Sequence, residues 1–205
     1  MSIIKLNNKA VSNATAIGSI SSLGSMVFIK KLTASGSSTL SFVDGANGVV
    51  LDDTYKEYVF TFNNMHPANN GVSLKFNMSI DGGSNYNVVK TSTAFSSYHN
   101  EADTDTNLLY QSSQDLAQST GDAFLGLQTS NDNDGNTVGT LRLFNPSSST
   151  FVKHYISDIN DHGYDYSVRF FGAGYGNTTS PVNAIKFLFS AGNIDAGDIC
   201  LYGIA

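Results

Sequence analysis

The chain has 205 residues, of which 40% are hydrophobic and only 14% are charged, and its formal net charge is −6. This length is sufficient for one domain with a substantial core. The 11 basic residues are scattered along the chain, with one adjacent pair at Lys30-Lys31. Nucleic acids and anionic membrane surfaces both require clustered Lys and Arg, so the sequence argues against both partners.

Residues 1–25 differ in composition from the rest of the chain. Ser12–Ser25 is small, uncharged and rich in Gly and Ser, without a sustained period of two or 3.6 residues. We interpret residues 1–25 as an extended arm, and a plain disordered terminus is the alternative. An arm that docks on another protein is favoured by five apolar residues: Ile3, Ile4, Leu6, Val11 and Ile17.

From Met26 onward, strand patterns predict a single domain over residues 26–205. Strict alternation in "VSLKFNMSI" places five apolar side chains on one face of a half-buried strand: Val72, Leu74, Phe76, Met78 and Ile80. In residues 55–64, Tyr58, Phe60 and Phe62 share a face. The stretch "DGGSN" at 81–85 predicts a turn, after which residues 86–93 return as the next strand.

The second half of the chain continues with short strands separated by turns. They are predicted at 137–145, 149–157, 165–176, 184–191 and 198–204. The glycines of "GAGYGN" are typical of close packing within a strand, because no helix follows them to form a phosphate site. Residues 95–128 are less regular and predict a short helix or a long loop that carries strands. We therefore expect an all-β protein, a jelly-roll-like antiparallel β-sandwich.

The stretch "SNDNDGNT" at 130–137 has half of the signature of a calcium-binding EF loop. Alignment on Gly135 places Asp132 and Asp134 correctly, but Ser130 and Leu141 fall where the strongest ligands belong. A hairpin turn at Asp134-Gly135 fits better, because strand-like sequence follows at once. Asp132 and Asp134 are therefore weak metal candidates, and we expect no cofactor.

Other polar clusters also have a plain structural interpretation. His154, Asp158 and His162 are four residues apart, but along a strand they would spread over ~26 Å, too far for one ion. The lone Cys200 is predicted to be a buried residue on the last strand. The sequence lacks the G-x-S-x-G, H-E-x-x-H and P-loop motifs, so we do not expect an enzyme.

Two polar loops are candidates for recognition. The acidic stretch "YHNEADTDT" could bind a cation, supply acid–base carboxylates or remain a solvated loop, and the last is favoured. The stretch "NNMHPANNG" at 63–71 is a structural turn or a surface recognition loop. The side chains that we select as possible recognition residues are His66, Asn69, His99, Glu101 and Asp103.

Several stretches from about Tyr55 to the C-terminus resemble a family of small virion-associated proteins of marine bacteriophages. They include "YKEYVFTFNNMHPANN", "SLKFNMSIDGGSNYNV", "LRLFNPSSSTFVKHYIS" and "GYGNTTSPVNAIKFLFSAGNIDAGDICLYGI". The N-terminal "IKLNNKAVSNATA" is similar to a segment that precedes varied domains in phage structural proteins. The resemblance implies a place on the virion, with capsid or tail proteins as partners, and carries no catalytic residue.

We therefore expect a non-catalytic virion structural protein, made in the host cytoplasm, that decorates the capsid and docks through its arm. By analogy with other virion proteins, a homo-oligomer is expected and a trimer is favoured. The alternative is a tail-fibre or tail-tip module whose loops recognise a host surface glycan or protein. A third possibility is a glycan-cleaving enzyme that uses Glu101 of the acidic loop.

Overall fold

The computed structural model describes residues 25–205, so the five apolar residues of the predicted arm, Ile3, Ile4, Leu6, Val11 and Ile17, lie outside the described residues. Alternating apolar and polar side chains in the described part form twelve strands. They are β1 (Met26–Thr33), β2 (Leu40–Val43), β3 (Glu57–Pro67), β4 (Leu74–Ser79), β5 (Lys90–Asn100), β6 (Thr106–Tyr110), β7 (Ala123–Phe124), β8 (Thr137–Phe144), β9 (Lys153–Gly163), β10 (Tyr166–Gly176), β11 (Ala184–Phe189) and β12 (Ile194–Ile204). Within residues 25–205, no helix is long and apolar enough to cross a membrane.

The strands form two antiparallel sheets, which confirms the predicted all-β sandwich. The larger sheet has eight strands in the order β1-β12-β3-β8-β9-β10-β5-β6, and the smaller has four in the order β2-β11-β4-β7. Their facing sides enclose an aromatic core in which Tyr58, Phe60 and Phe62 are buried, as their alternation predicted. Phe187 of the smaller sheet packs against Phe60 and Phe62 with ring centroids 5.2 Å apart in each pair.

The strand predicted at residues 86–93 is found only in part, and it lies in the other layer of the sandwich. β4 belongs to the four-stranded sheet and β5 to the eight-stranded sheet, so the 81–85 turn leads from one layer to the other. β5 also begins later, at Lys90. The predicted solvent face of β4 is covered as well, because Asn77 and Ser79 are buried, whereas Ile80 is 42% exposed beyond the end of the strand.

The predicted hairpin turn at Asp134-Gly135 is also wrong. The turn lies one residue earlier, where the Gly135 amide donates to the Asp132 carbonyl at 2.8 Å. β8 pairs with β3 and β9, and not with the segment that precedes the turn. Gly135 does not have a positive φ, and glycine is required there because a Cβ would overlap the carbonyl of Ser130.

Glycines on the inner face of β10 allow close packing, at Gly174 against the neighbouring strands and at Gly176 against the other layer, as the sequence predicted. A Cβ on Gly174 would lie 2.6 Å from both the Thr91 carbonyl oxygen and the Tyr155 hydroxyl. A Cβ on Gly176 would lie 2.8 Å from the terminal methyl of Met78. The predicted buried position of Cys200 is confirmed on β12. The irregular region contains β6 and β7 within loops, which is the second of the two predicted alternatives.

Candidate functional site

One end of the sandwich brings together loops that are far apart in the sequence. β3 ends there at Pro67, β5 at Asn100 and β9 at Gly163, and β10 starts there at Tyr166. In the sheet order, β3 and β5 are four strands apart, which corresponds to ~19 Å. The two loops selected from the sequence as recognition loops therefore lie at the same end, with a gap between them.

A polar cleft of about 530 Å³ occupies this gap. Alternation directs Ser96 and Tyr98 of β5, and Tyr166 and Val168 of β10, from the inner face of the large sheet into the cleft. Segments that cross over this part of the sheet supply the rest of the lining: Gly71, Ser73, Asp105, Gln111, Gln114, Leu127, Gln128 and Gly163. Hydroxyl and amide groups thus dominate the lining, and Asp105 is the one charged side chain among the lining residues described.

Hydrogen bonds and ring packing hold the cleft residues in place. The Tyr166 hydroxyl donates to Asp105 Oδ2 at 2.9 Å, and this bond raises the pKa of Tyr166. The rings of Tyr98 and Tyr166 meet edge to face with centroids 5.6 Å apart. Gln111 Nε2 donates to Ser96 Oγ at 2.7 Å. Gln114 Oε1 is buried and accepts no hydrogen bond from the described residues, so it is an acceptor that a ligand hydroxyl could satisfy.

A buried carboxylate fixes the segment that forms one wall of the cleft. Asp161 of β9 accepts from the Leu127 amide at 2.7 Å and from the Thr137 hydroxyl at 2.6 Å. Burial raises the pKa of Asp161 to about 6, although these hydrogen bonds oppose the increase. A Cβ on Gly126 would lie 2.5 Å from Asp161 Oδ1, so glycine allows the segment to approach. The carboxylate therefore positions the wall without lining the cleft.

The side chains selected from the sequence surround the cleft but do not line it. His66 Nδ1 donates to the Gly135 carbonyl at 2.6 Å, and Asn69 is exposed beside Gly192. His99 Nε2 pairs with Asp103 Oδ1 at 3.0 Å on the surface, and Glu101 is exposed in the same turn. Gly71, Tyr98 and Asp105, which come from the same two stretches, do reach the cleft.

The sequence predicts only some of the residues that line the cleft. Tyr98 and Asp105 belong to the acidic stretch "YHNEADTDT", which is a candidate for recognition. Alternation along β5 and β10 predicts that Tyr98 and Tyr166 point inward. Nothing in the sequence indicated that Gln111, Gln114 or Gln128 would meet them, because these residues come from irregular segments.

The two metal candidates lie close together at the turn before β8. Asp132 Oδ2 accepts from the Ser130 hydroxyl at 2.6 Å, and Asp134 lies in the exposed turn that follows. Across the part of the chain that the structure describes, no group of three or more His, Cys, Asp or Glu side chains is close enough to hold a metal ion. His154, Asp158 and His162 point outward from β9 in a row, as expected for a strand.

A second surface, on the outer face of the eight-stranded sheet, is rich in exposed apolar side chains. We call this surface the outer face. It carries six of the most exposed large apolar residues: Met26, Phe28, Phe95, Leu108, Tyr110 and Ile156. Phe95 stacks on Phe171 at 4.9 Å, and the Arg169 guanidinium lies 4.3 Å from the Phe171 ring centre.

A shallow groove of about 480 Å³ continues the outer face across β9, β10 and β5. Its outward-pointing walls include Ile156, Ala173 and Tyr175, and the rings of Tyr175 and His154 are 5.9 Å apart. Soluble monomers rarely expose large apolar areas, so such a surface is typical of a contact with another protein.

Comparison with known proteins gave no match, since no family model, no curated protein and no solved structure is similar to this chain.

Proposed function

We propose that the protein is a non-catalytic structural protein of a bacteriophage virion that decorates the capsid. The observation that carries this proposal is the outer face, whose apolar side chains suit a permanent contact with neighbouring virion proteins. The low charge content and the resemblance of the sequence to virion-associated proteins support the same function. Residues 1–25 serve as the anchor, and copies of the chain assemble into an oligomer, with a trimer favoured by analogy.

Immunogold labelling of purified virions tests this function directly, with an antibody raised against residues 25–205. Label distributed over the head is the expected result, because a decoration protein occupies many symmetric sites. Particles that lack the protein should then lose genome at a lower temperature than wild-type particles. Intact virions that carry no label would contradict a structural role.

The polar cleft favours a second function, recognition of a host surface glycan by a tail-associated protein. A neutral saccharide offers hydroxyl groups that can pair with Gln114 and Asp105, and apolar ring faces that can pack on Tyr98 and Tyr166. The lining contains no Lys or Arg among the described residues, which disfavours an anionic ligand.

A glycan array followed by titration calorimetry tests the cleft. Binding of a neutral glycan should be weakened at least tenfold by Tyr98→Ala, because the ring supplies one apolar wall. Tyr175→Ala removes a tyrosine from the groove on the outer face and should leave the affinity unchanged. Equal losses in both variants, or no binding across the array, would contradict glycan recognition by the cleft.

A further inference from the structure

A lysine, an asparagine and an aspartate meet beside β4 of the smaller sheet, away from the cleft and the outer face. Asn77 lies in β4 of the smaller sheet, Lys90 is the first residue of β5 in the larger sheet, and Asp122 directly precedes β7. The Lys90 side chain is fully buried, and Asn77 is only 2% exposed. Any bond between Lys90 and Asn77 would therefore join the two layers of the sandwich.

The contacts of this cluster are those needed for an amine to attack a carboxamide. Lys90 Nζ lies 2.6 Å from Asn77 Oδ1, so it is at most about 3.8 Å from the Asn77 Cγ carbon. Asn77 Oδ1 also accepts from the Met78 amide at 2.9 Å. On the other side, Asn77 Nδ2 donates to Asp122 Oδ1 at 2.8 Å and to the Thr120 carbonyl at 3.0 Å. Donors at Oδ1 and acceptors at Nδ2 determine which end of the amide is the oxygen and which is the nitrogen.

We propose that Lys90 and Asn77 become joined by an intramolecular isopeptide bond, with Asp122 as the catalytic residue. The separation of Nζ and Cγ is close to that of a near-attack arrangement, and a rotation of the Asn77 amide about χ2 would turn its face toward Nζ. The Met78 amide is placed to stabilise the negative charge that develops on Oδ1. Asp122 contacts the nitrogen that leaves.

The reaction is balanced without an oxidant or a cofactor. The neutral amine of Lys90 attacks Cγ and forms the Nζ–Cγ bond, and the electron pair of the carbonyl moves to Oδ1. Asp122 accepts a proton from the attacking nitrogen and delivers a proton to Nδ2. The Cγ–Nδ2 bond then breaks, one molecule of ammonia leaves, and the carbonyl is restored in a secondary amide.

Burial favours this reaction in two ways, because it affects the charge of the reactant amine and the stability of the uncharged product. Desolvation lowers the pKa of Lys90 to about 8, opposed by Asp122, so a neutral amine is accessible near neutral pH. No ion pair is formed by Lys90 with the described residues, and its second partner is the Val88 carbonyl at 2.6 Å. The product carries no charge at this position, so the reaction removes the cost of a buried ammonium group.

Lys153 provides an internal comparison. It is also fully buried, but its Nζ donates to three backbone carbonyls, those of Ser148, Phe151 and Thr178. Attack on a backbone amide would cleave the chain, and no side-chain amide contacts this Nζ within the described residues. Lys153 is therefore expected to remain a free amine.

Mass spectrometry of the purified full chain tests the proposal. The intact mass should be lower than the sequence mass by one molecule of ammonia. Trypsin should fail to cleave after Lys90 in the denatured protein, because an acylated lysine is not a substrate. A peptide spanning residues 76–142, lighter by one ammonia, should therefore replace the separate peptides 76–90 and 91–142.

Variants distinguish isopeptide formation from other reactions that also release ammonia, such as succinimide formation at Asn47-Gly48. Lys90→Arg should restore the full mass, Asp122→Asn should lower the cross-linked fraction at matched times after synthesis, and Lys153→Arg should retain the bond. A wild-type chain of full mass that is cleaved after Lys90 would overturn the proposal. The same holds if the loss of ammonia persists in Lys90→Arg. The wild-type result decides the question even if a variant fails to fold.

Discussion

At the scale of single residues, polar groups buried in a small number of places determine how the layers are held together. Asp161 is the clearest case, because this carboxylate has no countercharge within residues 25–205 and accepts three hydrogen bonds, from Leu127, Thr129 and Thr137. These bonds stabilise the carboxylate, but they do not fully compensate for its removal from water. The consequence is a dependence of stability on pH.

We predict that Asp161 reduces stability as the pH rises through the range from about 4 to 6. The pKa is raised from 3.8 in the unfolded chain to about 6 in the folded chain, so the folded state binds more protons in this window. The contribution of Asp161 to the free energy of unfolding is therefore fully present below about pH 4. It decreases by about 3 kcal/mol as the pH rises above about 6. Urea unfolding at pH 4 and pH 7 measures the difference. Asp161→Asn should lack this decrease in the free energy of unfolding. An identical pH dependence in both proteins would contradict the prediction.

Close packing at the β10 glycines predicts a second effect at the residue scale. Gly174→Ala should lower the free energy of unfolding by about 1–3 kcal/mol, because the added methyl would overlap the Thr91 backbone carbonyl and the Tyr155 hydroxyl. Gly121→Ala is the matched control, since its nearest neighbour is the Ser119 hydroxyl at 3.2 Å and its φ is not positive. Thermal unfolding compares the two variants, and equal changes in Tm would be inconsistent with this account.

At the scale of elements, both edge strands of the large sheet carry strongly exposed apolar side chains. Phe28 of β1 is 57% exposed, and Leu108 of β6 is 68% exposed. Both residues point outward, because the smaller sheet covers only the opposite side. No residue within 25–205 covers these two side chains, and we propose that another protein does.

This inference predicts that the outer face supports self-association. Phe28→Ser and Leu108→Ser should each raise the dissociation constant of the oligomer roughly tenfold to a hundredfold, the effect of losing one buried apolar side chain. Sedimentation velocity across a concentration series measures this change. Ile80→Ser is the control, because Ile80 is 42% exposed but lies beyond the end of β4 and off the outer face. A monomeric wild-type protein, or equal effects of all three variants, would contradict the prediction.

At the scale of the whole molecule, the sandwich has a complete core within residues 25–205. The core includes residues from both sheets and from most strands, and its largest aromatic side chains contact each other across the layers. Residues 2–24 are therefore expected to contribute to assembly and not to the stability of the sandwich.

Deletion of residues 2–24 separates these two roles. The Tm of the shortened chain should stay within a few degrees of the wild type, because the core residues described in both sheets are all retained. Incorporation into particles should be abolished, since the proposed anchor is missing. Calorimetry and labelling of purified particles measure the two quantities. Incorporation of the shortened chain at the wild-type level would contradict the anchor role.

The sequence by itself determined the class of the fold and most of its strands. Alternation of period two is a local property that follows from strand geometry, so Tyr58, Phe60 and Phe62 were correctly assigned to the core. The close packing of the β10 glycines and the burial of Cys200 were predicted from other local features, the absence of a following helix and the apolar neighbours of the cysteine.

Only the tertiary structure decided which strands pair and which polar groups meet. Pairing depends on contacts between distant residues, so the short turn after β4 gave no indication that β5 belongs to the other sheet. The cleft assembles from irregular segments, and Asn77, Lys90 and Asp122 come from three separate segments in two sheets. The sequence pattern placed Asn77 on the solvent side of its strand, and the contacts that bury it, with Lys90, Thr120 and Asp122, depend on the whole fold.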